Sequence, residues 1–235
     1  MFPLRDAVRP RTRPYVTWAL ILVSLAAFAW PAMVEPGLFE GLVLTYGLVP
    51  ARLSLANPAG WLTLVTSIFL HGGWFHVLSN LWTLFIFGDN VEDRMGHLRF
   101  LAFYLLSGMI AGLAHVALAP TSTLPTIGAS GAIAGVLGAY FVLYPSARVL
   151  TLVPLVFIPW LVEIPAFVYL GLWFLSQLSS VLVNLGAAGD FGGIAWWAHI
   201  GGFAFGALAV WLIMPRLRRP PAPYYPLDDS FRETY

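Results

Sequence analysis

Residues 126–135 read Thr126-Ile127-Gly128-Ala129-Ser130-Gly131-Ala132-Ile133-Ala134-Gly135. The apolar segment opening at Ser130 runs only to about Tyr144. As a helix rising roughly 1.5 Å per residue it is about 22 Å long, short of the roughly 30 Å hydrocarbon core of a bilayer. A helix this short that reaches the far membrane face starts partway into the bilayer, which places its first residue below the surface. A hydroxyl held there needs hydrogen-bond partners or a chemical task.

The surrounding composition supplies the membrane. Of 235 residues, 59% are hydrophobic and 10% charged, where a soluble domain carries about 25% charged residues. The net charge of +1 implies no nucleic-acid or acidic partner. Cysteine is absent, which excludes disulfides, thiolate metal sites and cysteine nucleophiles. All 12 basic residues are arginine, so a serine–lysine dyad and a Schiff base are excluded as well.

Working outward, the chain divides into a basic arm (1–14), a membrane domain (15–214) and a proline-rich tail (215–235). The arm, with Arg5, Arg9, Arg11 and Arg13 among prolines, reads as flexible; the tail cannot form a packed core. The long apolar run after the arm has no short h-region with a small-residue cleavage site, so it reads as a first span rather than a signal peptide. Spans are expected at about 15–34, 74–88, 100–118, 130–144, 164–184 and 196–214. The connection 35–73 is broken by glycine and proline and reads as short interfacial pieces. Residues 145–163, with Pro145, Pro154 and Pro159, read as interfacial or re-entrant, and 89–99 as a charged loop. The expected fold is an all-α, polytopic six-helix bundle with a short, partly submerged fourth helix. Eleven of the 12 arginines then fall on the side of the termini, and only Arg52 opposite. That side is cytoplasmic by the positive-inside rule.

In that topology the second, fourth and sixth spans all enter from the outer side. His76, Asn80, Ser130 and His199 therefore lie at similar depth, each near a partially positive helix N-terminus. Ser130 alone reads most simply as a packing residue, but a helix start, Gly128, Gly131 and an intramembrane histidine give it a chemical reading: nucleophile, with His199 as base. Gly202 and Gly206, facing Gly131, Gly135 and Gly138, would let the fourth and sixth helices approach closely enough for that hydrogen bond. His76 and Asn80, four residues apart, share a helix face. They are either donors to an oxyanion or an interhelical clamp. His71 precedes Gly72-Gly73 and shapes the start of the second span, while His97 and His115 read as structural. The three histidines 71, 76 and 199 lack a metal-ligand spacing or a nearby carboxylate, so no metal or other cofactor is expected. An aspartyl mechanism lacks its paired carboxylates.

At these residues the sequence closely resembles the rhomboid family of intramembrane serine proteases, across about 15–214. The resemblance rests on His71-Gly72-Gly73-Trp74-Phe75-His76 with Asn80, Glu92-Asp93-Arg94-Met95-Gly96, Gly128-Ala129-Ser130-Gly131, and Ala198-His199 with Gly202 and Gly206. It implies a Ser130–His199 dyad without a third acid. It also implies an oxyanion hole from the Ser130 N–H, His76 and Asn80, and a bracing Glu92–Arg94 pair. The implied partners are transmembrane protein substrates, cut near their outer end, and the lipid bilayer; oligomeric state is open. The implied place is a bacterial plasma membrane, with the site opening to the outer side. Two positions depart from the family pattern. Ala134 stands where an aromatic residue often stacks on the histidine, and Trp61-Leu62 where Trp-Arg is common. An aromatic fifth span (Phe167, Tyr169, Trp173, Phe174) reads as a lipid-facing gate. The alternative is a non-catalytic rhomboid-like factor that binds membrane proteins, and a solute transporter is disfavoured by the lack of an inverted repeat.

Overall fold

A run of small and apolar residues on every side of a helix demands burial all round, and residues 131–140 meet that demand. The computed structural model describes residues 1–34, 37–155, 158–186, 196–213 and Tyr224. In it α6 (Ser130–Leu143) is the central helix, with every residue from Gly131 to Tyr140 buried. Around it stand α1 (Tyr15–Val34), α4 (Trp74–Met95), α5 (His97–Leu118), α7 (Ala166–Gly186) and α8 (Trp196–Ile213), with the short α2 (Leu38–Tyr46) and α3 (Thr63–Thr66) in the first connection. Helix α1 buries Thr17, Leu20, Ser24, Phe28 and Pro31, a single stripe at helical spacing. Both α1 and α5 are long and apolar enough to cross a membrane. Helix α4 joins the preceding Pro58–Phe69 segment at an 81° bend, and the apolar stretches of α6, α7 and α8 are shorter.

Glycine sets how closely the central helices approach. A Cβ on Gly202 would collide with the Gly131 carbonyl, one on Gly206 with the Gly135 carbonyl, and one on Gly138 with the Phe203 carbonyl. On another side of α6, a Cβ on Gly135 would strike Ser107 of α5. The backbones of α6 and α8 are thus in direct contact, which fixes the height of His199 relative to Ser130.

Helix α4 outlasts its expected end. The stretch Asp89-Asn90-Val91-Glu92-Asp93-Arg94 is helix rather than loop, and the chain turns only at Gly96, whose φ of +83° suits glycine. The charges are tolerated because they are used. Buried Glu92 accepts hydrogen bonds from the backbone N–H groups of Val16 (3.0 Å) and Thr17 (2.7 Å) and from the Thr17 hydroxyl (2.7 Å), capping the N-terminus of α1. His97 Nδ1 lies 2.6 Å from the same carboxylate, and Asp93 accepts from Thr12 N and Oγ1. Glu92, of the Glu92–Arg94 pair implied by the resemblance, thus ties the end of α4 to the start of α1. Residues two apart on a helix diverge, and Nε and Nη1 of buried Arg94 have no hydrogen-bond partner.

The arm and the 145–163 segment depart most from expectation. They build an antiparallel sheet of β1 (Phe2–Asp6), β2 (Arg148–Leu155) and β3 (Ile158–Pro165), in the order β1-β2-β3. Val149, Leu150, Leu152, Val153, Val162 and Ile164 suit a pleated surface, with Pro154 and Pro159 near its turn. An isolated hairpin is marginal in water; this one gains a third strand and a helix. Phe2 stacks on Trp82 at 5.9 Å, and Trp82 Nε1 donates to the Pro3 carbonyl at 2.7 Å. The 215–235 tail lies outside the described residues except for Tyr224, which bridges Val8.

At the end of β1 the Asp6 carboxylate is buried, accepting hydrogen bonds from Asn90 Nδ2 (2.9 Å) and the Tyr140 hydroxyl. Burial raises its pKa from 3.8 to about 7, against the opposing pull of the Tyr140 hydroxyl, of the backbone N–H groups of Asp6 and Val8, and of Arg5. A carboxyl raised on docking holds its proton more tightly docked than free. Its contribution to docking is complete below about pH 4 and is lost as pH rises through about 7. The arm should therefore be more protected from protease at pH 5 than at pH 8, and Asp6→Asn should abolish the difference. Equal protection of the wild-type arm at both pH values would refute this.

Candidate active site

The turn that presents Ser130 is held by its backbone before any side chain of the site is considered. Leu48 and Thr126 exchange backbone hydrogen bonds (3.0 and 2.8 Å), and Gly128 N donates to the Ser67 carbonyl at 2.9 Å. Gly128 has a φ of +126°, and a Cβ there would sit 2.8 Å from His76 Nε2, so both conformation and space call for glycine. His71 completes the clamp. Its Nδ1 is 3.3 Å from the Phe69 carbonyl, an acceptor only, so Nδ1 carries the proton and Nε2 accepts from Ala129 N at 3.4 Å. The fully buried His71 thus holds the residue before Ser130.

Ser130 Oγ lies 2.8 Å from His199 Nε2. Helix α6 begins at Ser130, so the N–H groups of Ser130 and Gly131 precede the intrahelical ladder and have no carbonyl a turn earlier to bond. Both side chains line a cavity of about 410 Å³ together with His76, Asn80, Ile127 and Ala198. His76 Nδ1 accepts from Gly72 N at 3.3 Å, which leaves the proton on Nε2, the atom directed at Gly128. Asn80 is buried, and its Nδ2 has no hydrogen-bond partner. A donor in that condition is costly unless something it is built to bind sometimes occupies the space before it.

Six of the expected residues therefore meet at one cavity: Ser130, His199, His76, Asn80, Gly128 and Gly131. His71 stands directly behind them, its ring edge-on to His76 at 5.2 Å. Gly202 and Gly206 act through the contact of α8 with α6. Glu92 and Arg94 lie at the opposite end of α4 and are not part of the site. Among the described residues no three His, Asp or Glu side chains converge as metal ligands.

Two residues of the site were not among the expected ones in these roles. Ala134, where an aromatic ring would stack, is buried, and its methyl packs toward Gly202 of α8. The ring beside His199 comes instead from α7: Trp173, 6.0 Å away between centroids. Gln177, one turn further along α7, places Oε1 2.8 Å from His199 Nδ1. The fifth-span aromatics are therefore not a lipid-facing row. Phe167 is exposed, but Tyr169 is buried against Phe87, and Phe174 stacks on Phe203 at 4.8 Å. In the first connection the missing Trp-Arg pair is replaced by other bonds. Trp61 Nε1 donates to the Ser54 carbonyl at 3.1 Å, and Arg52 Nη1 donates to the Leu44 carbonyl at 2.7 Å.

Comparison with known proteins agrees with this architecture. The family model for the rhomboid domain matches residues 58–216. Putative rhomboid protease YdcA of Bacillus subtilis is 35% identical over 131 residues, 55% of this chain and 62% of that protein. The mitochondrial Rhomboid protein 1 of Saccharomyces cerevisiae is 31% identical over 157 residues, 65% of this chain and 42% of its own length. Rhomboid protease GluP of Bacillus subtilis is 41% identical over 86 residues, 37% of this chain and 16% of that protein. These matches thus span less than two thirds of each relative. The family model covers most of the chain, and the chain belongs to the rhomboid family. It is an integral membrane protein built mostly of helices, several of them apolar.

Proposed function

We propose that this chain is an intramembrane serine endopeptidase that cuts transmembrane segments of other membrane proteins near their outer end. The observation that carries the reading is the 2.8 Å contact of Ser130 Oγ with His199 Nε2, beside a buried, unpartnered Asn80 amide. Relatives named as rhomboid proteases support the same class.

The chemistry runs through an acyl-enzyme. His199 Nε2 takes the Ser130 hydroxyl proton as Oγ bonds to the scissile carbonyl carbon. The carbonyl oxygen becomes an oxyanion and accepts hydrogen bonds from Asn80 Nδ2, His76 Nε2–H and the Ser130 N–H. As the tetrahedral intermediate collapses, the C–N bond breaks and His199 hands its proton to the departing amine. Water from the outer side then loses a proton to His199 and adds to the ester carbonyl. Collapse of this second intermediate returns the proton to Ser130 and frees the carboxylate. No cofactor takes part. In this reading both termini are cytoplasmic, the arginine-rich side faces inward, and the membrane is a bacterial plasma membrane.

The test is labelling of purified protein by a fluorophosphonate, in which Oγ displaces fluoride from phosphorus. Wild type should label and Ser130→Ala should not. A folded wild-type chain that fails to label, with the probe shown to reach the cavity, would replace this reading with that of a non-catalytic binding factor.

A further inference from the structure

A serine–histidine pair leaves one imidazole nitrogen, Nδ1, outside the reaction. Whatever holds that nitrogen decides which tautomer faces the serine. Here it is held by α7. Gln177 Oε1 lies 2.8 Å from His199 Nδ1.

The orientation of the Gln177 amide follows from its other contacts. Gln177 Nε2 lies 3.3 Å from the Trp173 carbonyl and 3.0 Å from Ser176 Oγ. The carbonyl can only accept. Ser176 Oγ commits its proton to that same carbonyl at 2.6 Å, so toward Gln177 it too can only accept. The contact with the Trp173 carbonyl requires the NH2 group, and the opposite amide orientation would set oxygen against oxygen there. Oε1 therefore faces His199, which must present Nδ1–H to it. The proton on Nδ1 leaves Nε2 with its lone pair toward Ser130 Oγ, the form a general base needs.

We propose that Gln177 is the positioning residue of His199, completing a Ser130–His199–Gln177 hydrogen-bonded chain on three helices, α6, α8 and α7. This rests on the Ser130–His199 reading above and deepens it. Trp173, one turn below Gln177 on the same face, sets its ring beside His199 at 6.0 Å and beside Phe203 of α8 at 6.0 Å. Ring and amide together supply from α7 the support that Ala134 cannot supply from α6. Besides Ser130, the titratable side chain acting on His199 among the described residues is His76, across the cavity. The support of His199 is thus complete only while α7 lies against α8, because both Gln177 and Trp173 come from α7.

The experiment measures fluorophosphonate labelling rate against pH for wild type, Gln177→Leu and Gln177→Glu, with thermal unfolding as the fold control. Gln177→Leu keeps the bulk and removes the acceptor, and should label about tenfold more slowly, the rate equivalent of one net hydrogen bond. Gln177→Glu places a carboxylate against Nδ1–H and favours the imidazolium, so the acid limb of its profile should move to higher pH by about one unit or more. A glutamine that merely packs would move neither. A folded Gln177→Leu that labels like wild type, or a folded Gln177→Glu with an unmoved profile, overturns the inference. A measurement on the unsubstituted chain guards against misfolding of the variants. Nitrogen NMR of histidine-labelled protein, assigned with His199→Ala, should find His199 protonated at Nδ1; protonation at Nε2 overturns the inference. Should wild type fail to label, the serine mechanism falls, and the tautomer still decides whether Gln177 holds His199.

Discussion

Replacing His199 by alanine is expected to lower the rate of Ser130 acylation by about 10⁴-fold or more, with little change in substrate affinity. The size follows from the absence of a substitute. A serine hydroxyl is a weak nucleophile near neutral pH and needs a base within hydrogen-bond reach. His199 Nε2 is at 2.8 Å. No lysine exists anywhere in the chain to take its place. His76, also lining the cavity, already uses Nδ1 as the acceptor for Gly72 N, so the nitrogen it turns toward the turn carries a proton. His71 is committed at both nitrogens, to the Phe69 carbonyl and to Ala129 N. The check is single-turnover cleavage of a fluorescent transmembrane substrate in vesicles. Because the two residues act as one unit, Ser130→Ala combined with His199→Ala should be no slower than Ser130→Ala alone. A His199→Ala chain retaining more than a tenth of wild-type rate would exclude it as the base.

The residues of the proposed chemistry stand out in the sequence because a membrane domain makes them conspicuous. In a chain with 10% charged residues, a serine at the head of a short helix and two histidines at matching depth are hard to read as surface. The glycines at 202 and 206 likewise announced the close contact of α6 and α8, because in lipid small residues are what lets backbones meet. Gln177 was not read, because the sequence does not say which side of α7 faces α8. The available signal was the polar group Ser176-Gln177 with Ser179 and Ser180 in the middle of a span. The sheet was missed for a different reason. Its prolines read as breakers, and the strand that completes it lies about 145 residues away in an arginine- and proline-rich arm. Local composition cannot announce a long-range pairing. The charged end of α4 misled in the same way, since Asp93 is satisfied by Thr12 and Glu92 by the start of α1.

Asn80→Ala should separate catalysis from stability. Sequence alone left two roles open for this residue, a clamp between helices or a donor to an oxyanion. The two make opposite demands on the resting protein. A clamp is satisfied at rest, and removing it costs stability, about 1 kcal/mol. An oxyanion donor waits unpaired in the resting enzyme and finds its partner only in the transition state. Asn80 Nδ2 is buried and unpartnered, and it is directed toward the Gly128 turn, 3.8 Å from where a Cβ on that glycine would stand. The expectation is thus a loss of about 10²–10³ in kcat, with KM little changed. Stability should be unchanged or rise, because a buried donor without an acceptor costs the folded state rather than stabilising it. Thermal unfolding alongside cleavage kinetics decides it. If kcat and the unfolding temperature fall together, or if KM alone rises, Asn80 holds helices or substrate rather than the developing charge. His76→Ala then becomes the comparison, because its Nε2–H is aimed at the same turn from the same face of α4, and the two losses should be less than additive if both serve one oxygen.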